Sequence, residues 1–221
     1  IKIQKYLRMD FDSIRDQYSN DLAGSMELAS ISTYRKDIFG VYVFGQNGGR
    51  YTSNSYSFKS EDQRETTWYK TIAGSRETTW FPSHEGSFIV RSSISDNFIT
   101  VGQPVMDKAS GMVNGIVAAD IKEDVITQRI KHSLSNGVIC IIDQEGSILF
   151  RSNAGNDLHY PIDISPSLVS HILESTGTAV GKSMVVPDSG YLVVSRTLMN
   201  SNWRIAGIID RGFLTQSSKD I

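Results

Sequence analysis

The first residues with chemical potential lie in Arg64-Glu65-Thr66-Thr67-Trp68-Tyr69. Read as part of a helix from Glu61 to Ile72, with Ser60 as N-cap and Glu61 and Asp62 in its first turn, this segment puts Arg64 and Trp68 on one face. Tyr69 then turns about 100° away. An indole can wall a pocket, a phenol can orient a ligand, and a guanidinium can fork a carboxylate. The plainer alternative is a core Trp68 and a solvated Arg64. Asp120 ends the apolar run Gly115-Ile116-Val117-Ala118-Ala119-Asp120, an odd seat for a carboxylate, and a buried Asp requires a partner. It could instead cap the helix that follows near Glu123, as Asp210 at the end of the similar run Ala206-Gly207-Ile208-Ile209-Asp210 suggests. Arg91 lies in the apolar stretch Phe88–Ser93, where strand alternation does not decide its face.

Catalytic patterns fail on spacing. Gly177-Thr178-Ala179-Val180-Gly181-Lys182-Ser183 has three residues between its glycines where a phosphate-binding loop needs four, and it leads into a strand. His84, His132, His159 and His171 have no metal-ligand spacing, and no nucleophile elbow occurs. No cofactor or metal and no catalytic role are expected. Net charge −2 and a pI near 6.1 argue against nucleic acid, which a basic face would bind. Cys140, the single cysteine, sits within Val138–Ile142 and reads as a buried, inert thiol. No run reaches the ~18 apolar residues of a membrane span, so the segment reads as water-soluble. It begins without Met and ends at Ile221, as a piece of a longer protein would.

The elements that must position these residues form a repeated pattern. Leu7, Phe11, Ile14, Tyr18, Leu22, Ser25 and Ala29 recur at three- and four-residue steps, which predicts a long amphipathic helix over residues 1–33, about 40 Å in length. A strand over 38–44, the turn Gln46-Asn47-Gly48-Gly49 and a strand over 50–54 follow. Strands over 88–93, 98–106 and 112–121 and a helix over 123–131 complete a first unit. The second repeats the plan: strand 138–143, turn Gln144-Glu145-Gly146, strand 148–153, helix 165–174 with Pro166 in its first turn, strands 178–186 and 190–198, and the closing apolar run. The expected architecture is α+β, with a long N-terminal helix and two tandem units. Each unit is an antiparallel sheet flanked by helices gathered to one side.

In their order, Trp68-Tyr69, Trp80, Pro104-Val105-Met106-Asp107 with Gly111, Gly115–Ile121 and Asn202-Trp203-Arg204 before the last apolar run resemble the double-Cache sensor regions, built of two PAS-like domains. The resemblance covers nearly the whole chain. It implies a stalk helix (1–33), a membrane-distal PAS-like domain holding a ligand pocket (34–131), a membrane-proximal one (132–213) and a tail (214–221) toward a second membrane span. It further implies an extracellular, membrane-anchored and homodimeric receptor. Its output would be a histidine kinase, most like the YesM type, or alternatively a chemoreceptor or cyclic-dinucleotide enzyme. Arg64, Trp68, Tyr69, Trp80, His84, Arg91 and Asp120 are the implied ligand-binding residues. In the amino-acid-binding subgroup the residue at Asp120 holds the ligand's ammonium group. That subgroup has Arg where this chain has Thr66, and Tyr with an acid near His84-Glu85-Gly86. Amino acid, organic acid and sugar ligands therefore stay open, as does an interaction module with no small ligand.

Overall fold

The computed structural model describes residues 3–7, 13–92, 96–107, 109–130, 137–152, 162–174, 183–185, 190–198 and 203–212. It divides into two compact units, Ile1–Val125 and Ile126–Ile221. In unit 1 the β-branched and aromatic runs form β1 (Ile38–Gly45), β2 (Arg50–Thr52), β3 (Thr79–Glu85), β4 (Asn97–Met106) and β5 (Val113–Lys122). They make one antiparallel sheet in the order β2-β1-β5-β4-β3. Unit 2 repeats this with β6 (Gly137–Ile142), β7 (Ile148–Arg151), β8 (Ser183–Val185), β9 (Tyr191–Thr197) and β10 (Arg204–Asp210), in the order β7-β6-β10-β9-β8. The repeat read from the sequence is thus a repeat of topology, strand for strand. Residues 1–2, 8–12 and 131 of the predicted helices and 93, 153, 178–182 and 186 of the predicted strands lie outside the described residues.

The helices are α1 (Ile3–Leu7), α2 (Ile14–Ser32), α3 (Thr67–Gly74), α4 (Glu123–Ile130) and α5 (Pro166–Glu174). An uninterrupted helix over 1–33 is not formed. Ser13 is extended (φ −154°, ψ 159°) and its Oγ accepts the Asp16 N–H, so α2 starts there and spans 19 residues, about 28 Å. Its orientation also reverses the expected one. Ile14, Tyr18, Leu22 and Met26 are exposed, while Asn20, Gly24 and Leu28 are buried. The inward face is polar because α2 lies against an edge strand whose outward N–H groups need acceptors. Asp21 Oδ1 accepts from Arg50 N at 3.1 Å and Ser25 Oγ from Thr52 N at 3.1 Å. Asn20 Nδ2 donates to the Tyr51 hydroxyl at 2.7 Å, and Gln17 Nε2 to the Gly48 carbonyl at 3.1 Å. Gly24 permits this approach, since a Cβ there would stand 2.2 Å from Tyr51 Cδ1.

The first sheet is covered on both faces, not on one. Leu7, Leu28, Val41, Val43 and Tyr51 form a core on the α2 side. Tyr42, Phe44, Ile116 and Ala118 pack with Trp68, Tyr69 and Ile72 of α3 on the other. Alternation along β5 puts Asp120 on that α3 face, with Ala118 and Ile116. Unit 2 packs Leu168, Val169 and Ile172 of α5 against Val138, Cys140, Ile142, Ala206 and Ile208. Cys140 is buried, and burial pushes its thiol up to about 11, which makes it a poor nucleophile.

Candidate functional site

Each functional side chain is set by a local cause. The expected helix over 61–72 is divided. Asp62 Oδ1 accepts the Arg64 N–H at 3.1 Å and caps a 3-10 turn over Gln63–Glu65. Thr66 is then extended (φ −74°, ψ 151°), and α3 starts only at Thr67. Arg64 therefore leaves the face of Trp68. Its guanidinium is exposed and paired with Asp62 at 2.9 Å, which raises its pKa and lowers that of Asp62. Arg91 is exposed as well. Among the described residues its stretch, predicted as a strand over 88–93, makes one isolated bridge, between Phe58 and Val90. The cause is Ser87, whose Oγ accepts the N–H groups of Ile89 at 3.1 Å and Val90 at 3.2 Å and turns the chain. The third strand of the sheet is Thr79–Glu85 instead, and it carries Trp80, half-buried and opposite Val101, and His84, opposite Phe98.

Asp120 has no exposed surface. Thr100 is its partner across β4 and β5, and Thr100 Oγ1 donates to Asp120 Oδ1 at 2.6 Å. Ser87 Oγ donates to Oδ2 at 2.5 Å. The carboxyl is thus held by hydroxyls and does not cap α4. The Glu123 carboxylate accepts instead from Ser83 Oγ. Asp210 differs: it is half-exposed and accepts the Gly212 N–H at 2.7 Å, a local turn contact. Burial raises the Asp120 pKa against the lowering effect of Ser87 and Thr100. His84 bonds Thr100 Oγ1 through Nε2 at 2.9 Å and the Gly86 carbonyl through Nδ1 at 2.8 Å. Its ring stacks on Phe88 at 3.6 Å, and burial lowers its pKa. The Tyr42 hydroxyl, which accepts from Asn54 Nδ2 at 3.3 Å, faces the same carboxyl. Burial first and Asp120 second hold its phenol well above the usual range.

Of the seven residues expected in the site, His84 and Asp120 are joined through Thr100. Trp68 and Tyr69 share the same side of the sheet from α3, Trp80 lies on β3, and Arg64 and Arg91 stand apart. Trp68 is packed edge-on to Phe44 and Tyr69, at 5.7 and 5.9 Å. Its Nε1–H is buried with no acceptor among the described residues, and so is the acceptor Gln63 Oε1. Sequence reasoning missed Ser87, Thr100, Tyr42 and Gln63. Alternation could have paired Thr100 with Asp120, because both sit at even positions of facing apolar strands. Nothing local marked Ser87. Among the described residues no group of His, Cys, Asp and Glu could hold a metal, and no helix is long and apolar enough to cross a membrane.

The Cache domain family model matches residues 4–218. No curated protein matches. Solved structures with the same fold include the ligand-binding domain of the Campylobacter jejuni chemoreceptor Tlp3 in complex with 4-methylisoleucine, at 15% identity and TM-score 0.57, covering 96% of this chain and 80% of that one. The ligand-binding domain of the Pseudomonas aeruginosa amino acid chemoreceptor PctC, in complex with GABA, is similar at 15% identity and TM-score 0.55, covering 93% and 85%. The extracellular domain of soHK1S-Z6, a protein assigned as a histidine kinase, is similar at 15% identity and TM-score 0.60, covering 98% and 87%.

Proposed function

The chain belongs to the Cache domain family, and we propose that it is the extracellular sensor of a membrane-anchored receptor, taking a small amine-bearing molecule on the α3 side of unit 1. As a Cache sensor domain it binds ligand and carries out no catalysis. The observation that carries the ligand reading is the pairing of two unspent polar functions on one face. Asp120 is a buried carboxyl with acceptor capacity beyond the bonds from Ser87, Thr100 and the Tyr42 hydroxyl. Trp68 offers a buried N–H that has no acceptor among the described residues. A ligand with a cationic and an anionic or carbonyl end would satisfy both, and an unmet buried donor costs about 1–3 kcal/mol until it is met. Amino acids and their close relatives have that chemistry, and Tlp3 and PctC are chemoreceptors solved with such molecules.

The departures at Thr66 and at the exposed Arg64 remove the fork that would clamp a carboxylate, so Trp68 and Tyr69 take over the second end. In this reading unit 1 is the membrane-distal domain and unit 2 the proximal one. The receptor is a homodimer and its output a histidine kinase of the YesM type, a reading supported by the helical lead-in and the compact Gly- and Ser-rich style of the chain. A thermal-shift screen with L-amino acids, amine-free organic acids and oligosaccharides tests the ligand. Amine-bearing compounds should raise the melting temperature, and Asp120→Asn and Trp68→Phe should each abolish the rise. An equal rise with amine-free acids or sugars overturns the ligand class. No rise with any class leaves a sensor that acts through a protein partner. Sequence on either side of the 221 residues, read for apolar spans and a kinase domain, tests the membrane and output assignments.

A further inference from the structure

The chain Gly86–His84–Thr100–Asp120 permits a count of protons. The Gly86 carbonyl can only accept, so His84 Nδ1 carries a hydrogen. Between His84 Nε2, Thr100 Oγ1 and Asp120 Oδ1 lie two hydrogen bonds in series, of 2.9 and 2.6 Å. They need two hydrogens, and the threonine supplies one. The other belongs either to the histidine or to the carboxyl. We propose that His84 and Asp120 hold one proton in common through the Thr100 hydroxyl: in the empty domain Asp120 is a neutral acid whose Oδ1–H donates to Thr100, which donates on to His84 Nε2, and the direction from Thr100 to Asp120 belongs to the carboxylate form, reached only when the proton passes to His84. In that step the Asp120 Oδ1–H bond breaks as a new Thr100 Oγ1–H bond forms. The former threonine O–H bond breaks as Nε2–H forms. No atom or charge leaves the site.

The surroundings set the resting form. Asp120 has no exposed surface, and separated charges inside an apolar sheet face are costly. Burial favours the neutral form of both partners. The ionisable groups acting on the pair are Tyr42 on β1, whose hydroxyl faces the carboxyl, and Lys59 ahead of the 3-10 turn, whose positive charge disfavours an imidazolium. Tyr69, the titratable group that α3 brings to this face, responds to Arg64 and Asp62 instead. Glu123, at the start of α4, is bonded to Ser83. A cationic group arriving at Asp120 reverses the balance by stabilising the carboxylate, and the proton moves to His84. Ligand charge is thereby written into the protonation of a histidine on β3. This last consequence rests on the ligand reading above; the shared proton does not.

Long-range proton–nitrogen NMR of the histidine rings, with His84 assigned by the loss of its signals in His84→Gln, tests the relay in the ligand-free protein. At pH 7 His84 should be the neutral Nδ1–H tautomer with Nε2 as a hydrogen-bonded acceptor. It should stay neutral as the pH falls through about 6.5, the ordinary midpoint of a free imidazole. Thr100→Val, which keeps the shape and removes the hydroxyl, should shift the Nε2 resonance to that of an acceptor without a donor. An Nε2–H tautomer, a His84 already doubly protonated at pH 7, or an Nε2 resonance unmoved by Thr100→Val overturns the proposal. The tautomer in the unaltered protein decides even where the variant does not fold. Adding the amine with the largest thermal shift should convert His84 to the imidazolium at unchanged pH. If no amine binds, the ligand reading fails and the relay stands or falls on the first spectra alone.

Discussion

At the scale of single residues, the buried acid in unit 1 should be visible in the pH dependence of stability. In the folded state Asp120 is raised and His84 lowered, both chiefly by burial, and the proposed relay has the pair hold one proton through the middle of the pH range. Unfolded, the pair binds two protons below about pH 4, one between about 4 and 6.5, and none above. Stability therefore rises with pH at the acid end, where the unfolded chain holds the extra proton. It is flat through the middle window and falls above about pH 6.5, where the folded protein holds the extra proton, at about 1.4 kcal/mol per pH unit per proton. Asp120→Asn removes the carboxyl proton from the count, leaving only His84. Its stability should climb up to about pH 6.5 and then stay level. Urea unfolding of unit 1 at pH 5, 7 and 8.5 reads the difference, and an alkaline fall that persists in the variant would show that Asp120 is ionised when folded. The oddity of a carboxylate ending an apolar run was legible in the sequence. Of its partners, Thr100 was within reach of strand alternation, whereas Ser87 meets the carboxyl across a turn that no local pattern encodes.

Among the elements, the two hairpins show what the serine that follows β2 and β7, Ser53 and Ser152, is for. Ser53 Oγ accepts the Val41 N–H at 2.8 Å, and Ser152 Oγ accepts the Ile139 N–H at 2.8 Å. In both, the serine N–H returns to the same residue's carbonyl, at 2.9 and 2.7 Å. Each serine thus ends a two-stranded ladder by satisfying one more buried donor. Ser53→Ala and Ser152→Ala should each cost about 1–3 kcal/mol by leaving that donor unmet. Amide exchange should quicken at Val41 only in the first variant and at Ile139 only in the second. The approach of α3 to its sheet makes a graded case. A Cβ at Gly102 would meet Ile72 Cδ1 at 2.3 Å, a side-chain tip that can swing, while at Gly115 it would meet the Phe44 carbonyl oxygen at 2.2 Å, which the ladder holds. Gly102→Ala should cost about 1–3 kcal/mol, partly recovered by Ile72→Val, and Gly115→Ala more, with no side-chain rescue. Strand runs and turns were legible because pairing in a sheet follows alternation. The α2 face was misread for a physical reason. Apolar periodicity marks the face that seeks an apolar partner, but the surface under α2 includes an edge strand, whose free N–H groups select Asp21 and Ser25.

For the whole molecule, that misreading becomes informative, because the strongest apolar stripe of the N-terminal helix is left facing outward. Ile14 is 87% exposed, Tyr18 70% and Met26 69%, and with Leu22 they trace one inclined row of four-residue steps along the helix. In the proposed homodimer this line is the seam, since a single helix stripe packs against its own copy about a two-fold axis. Four side chains on one helix fall well short of the ~1,200–2,000 Å² typical of stable complexes. The isolated domain should therefore sediment as a monomer at micromolar concentration. In the proposed membrane-anchored receptor, holding both copies in one membrane would raise their effective concentration to about millimolar, which is enough for a weak seam. The lone cysteine of these 221 residues is buried, so a thiol introduced among them reports cleanly once any cysteine elsewhere in the receptor is replaced by serine. Leu22→Cys in the full-length receptor in vesicles should give an oxidised dimer. Thr71→Cys, exposed on α3, should not, and adding Tyr18→Glu to Leu22→Cys should suppress the cross-link several-fold through two like charges brought into an apolar seam. Equal cross-linking at positions 22 and 71 would mean random collision, and cross-linking at 71 alone would move the seam to the α3 side, over the ligand face.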